Sequence, residues 1–312
     1  MTATALSEVD FIDLYLGEDY AELKGLVGTS RFLVPVPDSL SSDVDQLRAL
    51  CVRRQKETGR NEFSCFYGGR LYRATVSQDL LGRTDLVLRQ TPASIPAFED
   101  IPLSTPLRKS IELPGATGLV LIAGEMGAGK TTTAAAILRH RIAVTGSLGV
   151  SIEDPAETLL QGRHGNGRCI QLEVMESEGY ASATRKSYRM GASAFLLGEI
   201  RDGATAHEVL KASLSMFVIS TIHASSVTEA LERYVMFCEE ISPAAKANIA
   251  STLYVLTHQK MRVNPVNNQR QVDISGFNLR NINTAATIRA KIAAGQFNLQ
   301  DQFSSTTYNF ED

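Results

Sequence analysis

The stretch Gly124-Glu-Met-Gly-Ala-Gly129-Lys130-Thr131 decides the fold, because it has the spacing G-x-x-x-x-G-K-[ST] of a phosphate-binding loop. The apolar residues 119–123 precede the loop, and residues 131–138, which are rich in good helix formers, follow it. The loop therefore lies between a predicted strand and a predicted helix, which is the context that phosphate binding requires.

The residue types of this loop suit a polyphosphate. Gly124, Gly127 and Gly129 allow backbone N–H groups to close around phosphate oxygens, and the N-terminus of the following helix favours negative charge. We expect Lys130 to reach the β- and γ-phosphates and the Thr131 hydroxyl to bind Mg²⁺. The same turn adds one more predicted nucleotide-binding residue, Thr132.

Composition places the chain among ordinary globular proteins. Its 312 residues are 44% hydrophobic and 21% charged, and the length suits about two domains. The net charge is -3 and no long basic run occurs, so nothing favours nonspecific nucleic-acid binding. We therefore expect no direct nucleic-acid partner.

The N-terminal residues bear on the compartment, and the cysteine spacing bears on metal binding. Residues 1–10 lack the basic and apolar segments of a signal peptide, and no apolar run approaches the roughly 18 residues of a membrane-spanning helix. We expect a cytoplasmic protein without a transmembrane segment. The four cysteines form no C-x-x-C pair, so buried or partly buried free thiols are favoured over a zinc site: Cys51, Cys65, Cys169 and Cys238.

The first hundred or so residues predict a small α+β domain. A helix is predicted over residues 42–57, a hairpin over residues 62–67 and 71–76, and a further strand over residues 85–89. The Pro-containing residues 91–98 are typical of a linker.

From about residue 101 to residue 256, short apolar strands alternate with helical stretches, which predicts a parallel α/β sheet. Ligands of open α/β sheets lie at the carboxyl ends of the strands. We therefore expect the polar residues at these ends to meet at the nucleotide. The predicted strands are residues 119–123, 149–152, 194–197 and 217–221.

Three polar strand ends supply candidate catalytic groups. A carboxylate of Glu153-Asp-Pro-Ala-Glu157 would polarise water or hold Mg²⁺ through water, the alternative being a plain acidic loop. In Gly198-Glu-Ile-Arg-Asp202, Glu199 is the candidate to orient or activate the attacking water. At the third end, His223 would sense a γ-phosphate or bond to a neighbouring acid, the alternative being a purely structural histidine.

Taken in order, these segments resemble the secretion ATPase superfamily, which includes type II secretion, type IV pilus and type IV secretion motors. The phosphate-binding loop matches the Walker A motif of that family. Ser151-Ile-Glu-Asp-Pro-Ala-Glu157 resembles its Asp box, Leu196-Leu-Gly-Glu-Ile-Arg-Asp202 its atypical Walker B motif, and Ser220-Thr-Ile-His-Ala-Ser225 its His box. Four matches in the right order are far more specific than any one of them.

The resemblance extends to the flanking regions. Residues 72–99 resemble the end of the family's N-terminal PAS-like domain and its linker, and residues 283–296 resemble the C-terminal helical segment of PilT-type ATPases. It implies that three arginines reach the nucleotide phosphates, where charge-assisted contacts are chemically suitable. The alternative is a solvated strand face. These arginines are Arg73, Arg83 and Arg89, and two more, Arg185 and Arg189, resemble arginines that precede the family's Walker B motif.

Departures from the family pattern bear on which branch of the family the chain resembles. Ser215-Met216 stands where the His box usually begins with Gly-His, and Gly191-Ala192-Ser193 replaces the usual Asp-Pro-Asp before Walker B. The paired-cysteine zinc element of the extension ATPases is absent, which favours the PilT/DotB-like branch.

Together these features predict an α/β protein with three regions. Residues 1–98 form an N-terminal PAS-like α+β domain and linker, and residues 99–262 form a RecA-like P-loop ATPase core. Residues 263–312 form a short helical C-terminal region, with a polar tail after residue 296 that is expected to be disordered.

The resemblance implies a hexameric ATP hydrolase that uses ATP and Mg²⁺ to power a type IV pilus or a conjugative or type IVB secretion machine. It would work in the cytoplasm, peripherally at the inner membrane, with inner-membrane platform or secretion-channel proteins as partners. Thr131 and Asp154 are the expected metal ligands. The expected catalytic residues are Lys130, Glu153, Glu157, Glu199 and His223.

Three other functions share parts of this pattern. A nucleotide-binding scaffold would assemble without turnover, and a P-loop kinase would phosphorylate a small molecule. A nucleic-acid translocase is disfavoured by the acidic charge balance.

Overall fold

The computed structural model describes residues 5–92, 94–174, 179–263, 270–279, 285–299 and 304–310. It forms two compact units. The N-terminal unit comprises Met1–Ser94 together with Asp154–Leu159, and the C-terminal unit comprises Ile95–Glu153 and Leu160–Asp312. The grouping differs from the predicted domain borders, because a segment of the predicted ATPase core belongs with the N-terminal unit.

The N-terminal unit is built on a six-stranded antiparallel sheet in the order β3-β2-β1-β6-β5-β4. Leu14 and Leu88 of the sheet share one buried cluster with Val44 and Leu47 of the long helix. The predicted helix, hairpin and third strand are all present. The elements are β1 (Asp13–Leu16), β2 (Ala21–Lys24), β3 (Leu33–Pro35), α1 (Ser41–Thr58), β4 (Glu62–Tyr67), β5 (Arg70–Gln78) and β6 (Thr84–Gln90).

The C-terminal unit contains a nine-stranded mixed sheet in the order β15-β14-β13-β7-β12-β11-β8-β10-β9. The central strands, from β13 to β10, run parallel, whereas β14, β15 and β9 are antiparallel to their neighbours. The strands are β7 (Gly118–Gly124), β8 (Leu148–Glu153), β9 (Gly162–His164), β10 (Gly167–Glu173), β11 (Ala194–Ile200), β12 (Phe217–His223), β13 (Leu253–Val263), β14 (Arg270–Asn278) and β15 (Ser304–Phe310).

Helices cover the faces of this sheet. Alternate side chains of a strand point to opposite faces, and in β7 Leu119 and Leu121 join one buried cluster while Val120 and Ile122 join the other. Every residue of β7 is buried, as expected for the centre of a parallel sheet. The helices are α2 (Thr105–Glu112), α3 (Lys130–Thr145), α4 (Gly179–Arg189), α5 (Gly203–Ser213), α6 (Val227–Glu239), α7 (Ala245–Thr252) and α8 (Ala285–Ala293).

The predicted linker over residues 91–98 is wrong in its second half. Ile95 and Phe98 are buried in the C-terminal unit, and Phe98 stacks on His140 with ring centroids 4.0 Å apart. Arg139 also donates to the Ile95 carbonyl at 2.9 Å. Because these apolar residues lose water contact by packing against α3, the segment from Ile95 onward belongs to the core.

The C-terminal region is also less helical than predicted. Besides α8 it contributes strands β14 and β15, and β15 lies within the tail that was expected to be disordered. Val272 and Ile274 of β14 are buried at alternate positions and pair with the extended β13. A hydrophobic alternation of this kind stabilises strands. Within the described ranges, no helix is long and apolar enough to cross a membrane.

The four cysteines are buried free thiols, as predicted. The Sγ atoms of Cys51 and Cys65 lie 3.4 Å apart in the N-terminal unit. In the C-terminal unit, burial raises the pKa of Cys169 and that of Cys238 to about 12, so both thiols stay protonated at neutral pH.

Candidate active site

The phosphate-binding loop connects β7 to α3, as the sequence predicts. Gly129 is the residue before the helix and has φ +81°, a left-handed conformation that glycine adopts without strain. Lys130 is 7% exposed, and its Nζ donates to the carbonyls of Gly124 at 2.9 Å and Glu125 at 2.8 Å. The ammonium group is therefore held by two backbone carbonyls at the start of the loop.

The His-box strand β12 ends beside this loop. Gly124 and His223 are paired in the register of β7 and β12, so the histidine lies next to the first residue of the loop. Lys130 Nζ and His223 Nδ1 are 3.4 Å apart. The parallel register thus brings together two residues that are far apart in the sequence.

The Walker B strand β11 is irregular just before its catalytic candidate. Its pairing with β12 shifts register between Leu197 and Ile200, a span that contains Gly198 and Glu199. The hydroxyls of Ser220 and Thr221 donate to the carbonyls of Leu197 and Gly198, both at 2.7 Å. These two bonds satisfy backbone groups at the irregularity, where a regular ladder is interrupted.

Glu199 is held at both carboxylate oxygens. His223 Nε2 lies 3.0 Å from Oε1, and Arg201 Nε lies 2.7 Å from Oε2. The following residue, Asp202, accepts a hydrogen bond from the backbone of Thr205 at 2.7 Å and caps α5. The Gly-Glu-Ile-Arg-Asp segment therefore combines a predicted catalytic carboxylate with its own orienting arginine and a helix cap.

The ring of His223 lies between a cation and a carboxylate. Its Nδ1 faces the Lys130 ammonium, which offers only donors, so this nitrogen can accept a hydrogen bond. Its Nε2 lies at ion-pair distance from the Glu199 carboxylate. The position of the imidazole therefore links the loop lysine to the Walker B glutamate.

Two side chains fix the end of the His-box strand. Arg233 of α6 donates to the His223 carbonyl at 3.0 Å, and His258 Nε2 lies 3.2 Å from the Ala224 carbonyl. Burial lowers the pKa of His258, and nearby Lys260 adds to the effect. His258 is therefore neutral at physiological pH and can donate one ring N–H to that carbonyl.

Glu153, at the end of β8, is buried with 2% exposure. Its Oε1 accepts from the Ser151 hydroxyl and, at 2.9 Å, from Gln171 Nε2. β8 is the neighbour of β11, and a Cβ at Gly198 would lie 3.5 Å from Glu153 Cγ. Glu153 therefore lies beside the Walker B strand, as expected for a strand end of this sheet.

The other two Asp-box carboxylates are placed differently, within the N-terminal unit. Asp154 pairs with Arg60, and Glu157 accepts from Arg73 Nη1 at 2.6 Å. Ser64 also donates to the Ala156 carbonyl at 3.0 Å. The Asp-box sequence is thus divided after Glu153, and its second half is bound by arginines of the N-terminal unit.

The other two predicted phosphate-binding arginines also make ion pairs within the N-terminal unit. Arg83 Nε lies 2.8 Å from Asp79, and Arg89 Nε lies 2.9 Å from Asp13. Burial opposes ionisation of Asp13, but hydrogen bonds from Arg89 and Lys24 outweigh it and lower its pKa. In the C-terminal unit, Arg185 lies 4.0 Å from Glu208.

The oxygen donors of the loop fit a magnesium ion that is bound together with a nucleotide. Mg²⁺ in phosphate sites keeps several waters and takes one or two protein oxygens besides the phosphates. Thr131 supplies a hydroxyl in the first turn of α3, and Thr132 follows it, both partly buried. Within the described ranges, no group of three or more His, Cys, Asp or Glu side chains could hold a metal ion unaided.

The sequence of the core matches a known family. Residues 100–306 match the family described as type II/IV secretion system protein. The chain belongs to this family. The predicted resemblance to the secretion ATPases is therefore confirmed.

Relatives and solved structures agree with this family. The type IV pilus ATPase PilU of Pseudomonas aeruginosa is 31% identical over 183 residues, which cover 57% of this chain and 43% of PilU. The chain spans about half the length of the curated relatives it matches.

Two solved structures share the fold. The Legionella pneumophila ATPase DotB gives a TM-score of 0.74 at 20% identity and covers 94% of this chain and 85% of its own. The pilus retraction motor PilT with bound ADP gives 0.75 at 21% identity, covering 95% and 87%. They show that this member of the type II/IV secretion family has the α/β fold of PilT and DotB.

Three residues of this family member were not assigned a role from the sequence. Arg201 binds Glu199, Arg60 binds Asp154, and Gln259 binds the phosphate-binding loop. Arg201 lies within the quoted motif and could have been noticed there. Gln259 was indicated only weakly, as a polar residue that follows an apolar segment. Arg60 was not indicated at all, because its partner is distant in the sequence.

Proposed function

We propose that the chain is an ATP hydrolase that acts as the motor of a type IV pilus or type IV secretion machine. The contact line from Lys130 through His223 to Glu199 carries the proposal, because it joins a phosphate-binding group to a carboxylate. A P-loop NTPase needs both a phosphate cradle and a group that orients the attacking water.

The loop residues would bind the nucleotide. The backbone N–H groups from Gly124 to Gly129 and the start of α3 would hold the phosphates, and Lys130 would contact the β- and γ-phosphates. Thr131 and a carboxylate, for which Asp154 is the candidate, would hold Mg²⁺. When bound, the ion neutralises charge on the β- and γ-phosphate oxygens.

Glu199 would orient the attacking water or accept its proton, and Glu153 or Glu157 would assist. A phosphate that binds Lys130 competes with His223 Nδ1 for the same ammonium group. The contact between His223 and Lys130 would therefore depend on whether a γ-phosphate is bound. Because the same ring contacts Glu199, this change would also affect Glu199. Arg73, Arg83 and Arg89 would contact the phosphates after exchanging their carboxylate partners for phosphate oxygens.

The assembly follows the family resemblance. We expect a homohexamer at the cytoplasmic face of the inner membrane, where platform or secretion-channel proteins would receive the motion. Closure of the N-terminal unit over each nucleotide would couple hydrolysis to movement. The names of the type IV pilus ATPase PilU and the pilus retraction ATPase PilT support a pilus machine, and the family description supports a secretion machine.

The test is ATP-dependent phosphate release by the purified chain over a concentration series, with the particle mass measured alongside. We expect release that rises as a six-subunit species forms and that is lost in Lys130→Ala. Lys130→Ala should also lose tight ATP binding, because the ammonium is the loop's principal positive charge. Full activity in a monomer would remove the hexamer from the proposal.

Two alternatives give different results in the same assay. Tight ATP binding without phosphate release would identify an assembly scaffold. Transfer that requires an added small-molecule acceptor would identify a kinase.

A further inference from the structure

Gln259, in the middle of β13, is a polar side chain buried beside the phosphate-binding loop. It is 2% exposed, its Nε2 donates to the Ala128 carbonyl at 2.5 Å, and its Oε1 accepts from the Thr133 hydroxyl at 2.9 Å. A buried carboxamide is costly unless it is hydrogen-bonded. The two bonds therefore fix the orientation of the Gln259 amide.

The backbone of the same residue also touches the loop. A Cβ at Gly124 would collide with the Gln259 carbonyl oxygen, and a Cβ at Gly129 would lie 3.0 Å from Gln259 Nε2. Residue 259 therefore abuts both the first and the last glycine of the loop.

The bond to Ala128 determines the direction of the next amide. In a trans peptide the C=O and the following N–H point in opposite directions. When the Ala128 carbonyl is bound to Gln259, the Gly129 N–H must point away from β13. Amides of such loops bind phosphate oxygens with N–H groups that converge on one point, so the direction of each matters.

We propose that Gln259 is a positioning residue that sets the orientation of the Ala128–Gly129 peptide and so presents the Gly129 N–H to a nucleotide phosphate. This rests on the proposed function, since it requires a nucleotide in the loop. The bond from Thr133 acts on the peptide only indirectly, because it ties the Gln259 amide to the first turn of α3.

The experiment compares the Kd of a fluorescent ATP analogue for full-length variants. Gln259→Leu keeps the volume and removes both bonds, and should weaken binding about tenfold, equivalent to about 1.4 kcal/mol. Thr133→Val removes only the α3 bond and should weaken binding no more than about twofold, because the Ala128 bond remains. Lys260→Gln, an exposed neighbour on β13, is the matched control and should bind as the wild type does.

The melting temperature of each variant without nucleotide distinguishes positioning from a general packing role. A packing role would lower the melting temperature and leave the Kd of the folded protein unchanged. Gln259→Asn keeps a carboxamide but is one methylene too short to reach both partners. If Gln259→Leu does not fold, Gln259→Asn must show the same weakening.

The inference is overturned by a Kd for Gln259→Leu, or for Gln259→Asn in its place, within about twofold of the wild-type value. Equal weakening in Gln259→Leu and Thr133→Val also overturns it, since the effect would then come through α3. The Lys130→Ala variant distinguishes failure of the Gln259 inference from failure of the proposed function. If Lys130→Ala binds ATP as the wild type does, the nucleotide site itself is wrongly placed.

Discussion

The imidazole Nε2 of His223 lies 3.0 Å from Glu199 Oε1, while the other ring nitrogen faces Lys130 at 3.4 Å. The ring stands between the positive charge that would bind phosphate and the carboxylate that would act on water. Arg201 holds the second oxygen of that carboxylate at 2.7 Å. Glu199 is therefore bound by Arg201 at one carboxylate oxygen and contacted by the His223 ring at the other.

The first prediction concerns Glu199 itself. Glu199→Gln keeps the shape and removes the negative charge, so it should bind ATP with an unchanged Kd and lose almost all turnover. The loss should reach at least about a hundredfold if the carboxylate acts as a base. Phosphate release and ATP binding are measured on the same preparation, with Glu239→Gln on α6 as control. Normal hydrolysis by Glu199→Gln would show that another group activates water.

The second prediction tests the link through His223. His223→Phe keeps a planar ring and removes both nitrogens, so Glu199 loses its contact with Nε2. We expect kcat to fall about tenfold, equivalent to about 1.4 kcal/mol. The Kd for ATP should change little, because the bonds from Lys130 to Gly124 and Glu125 do not involve the ring. His164→Phe on β9 controls for loss of a histidine elsewhere, and equal effects in the two variants would argue against the link.

Much of this arrangement could be predicted because it is local in sequence or follows from parallel strands. The P-loop needs only its own residues, and strands whose carboxyl ends meet at one edge bring Glu199 and His223 to the same place. The partners of Arg60, Arg73 and Arg89 could not be predicted, because each ion pair depends on packing between segments distant in the sequence. Strand β14 was missed as part of the core sheet for the same reason, since its pairing with β13 is a matter of tertiary register.

The third prediction concerns the irregularity in β11. Thr221→Val removes the hydroxyl that satisfies the Gly198 carbonyl and should cost about 1 to 3 kcal/mol of stability. It should also lower kcat, because the backbone before Glu199 loses an anchor. Thr252→Val in α7 removes another largely buried threonine hydroxyl bond, to the Asn248 carbonyl, remote from the P-loop in sequence. Urea denaturation and phosphate release should show destabilisation in both variants and a kcat defect only in Thr221→Val.

The fourth prediction compares two glycines of the loop. Gly124 has φ +155°, and an added Cβ would collide with the backbone oxygen of Gln259, which cannot move without displacing β13. Gly127 has φ +77° and open space around it, so Gly127→Ala meets only the backbone strain of about 1 kcal/mol. Thermal unfolding should therefore show a clearly larger loss for Gly124→Ala. Equal losses would mean that β13 does not constrain the first glycine.

The last prediction follows from Asp13 of the N-terminal unit, which is 1% exposed and bound by Arg89 and Lys24. Its pKa is lower in the folded chain than in the unfolded chain, so folding is favoured while the carboxylate is ionised. This stabilisation is complete well above the unfolded pKa of about 3.9 and is lost as the pH falls through the lower folded value.

Asp13→Asn removes the charge at every pH, so the variant should be less stable than the wild type at pH 7 and the difference should shrink below about pH 4. Hydrogen exchange of peptides covering β1 and β6 measures this in the N-terminal unit alone. A stability difference that stays constant down to pH 2 would show that the two cations do not stabilise the ionised form of Asp13.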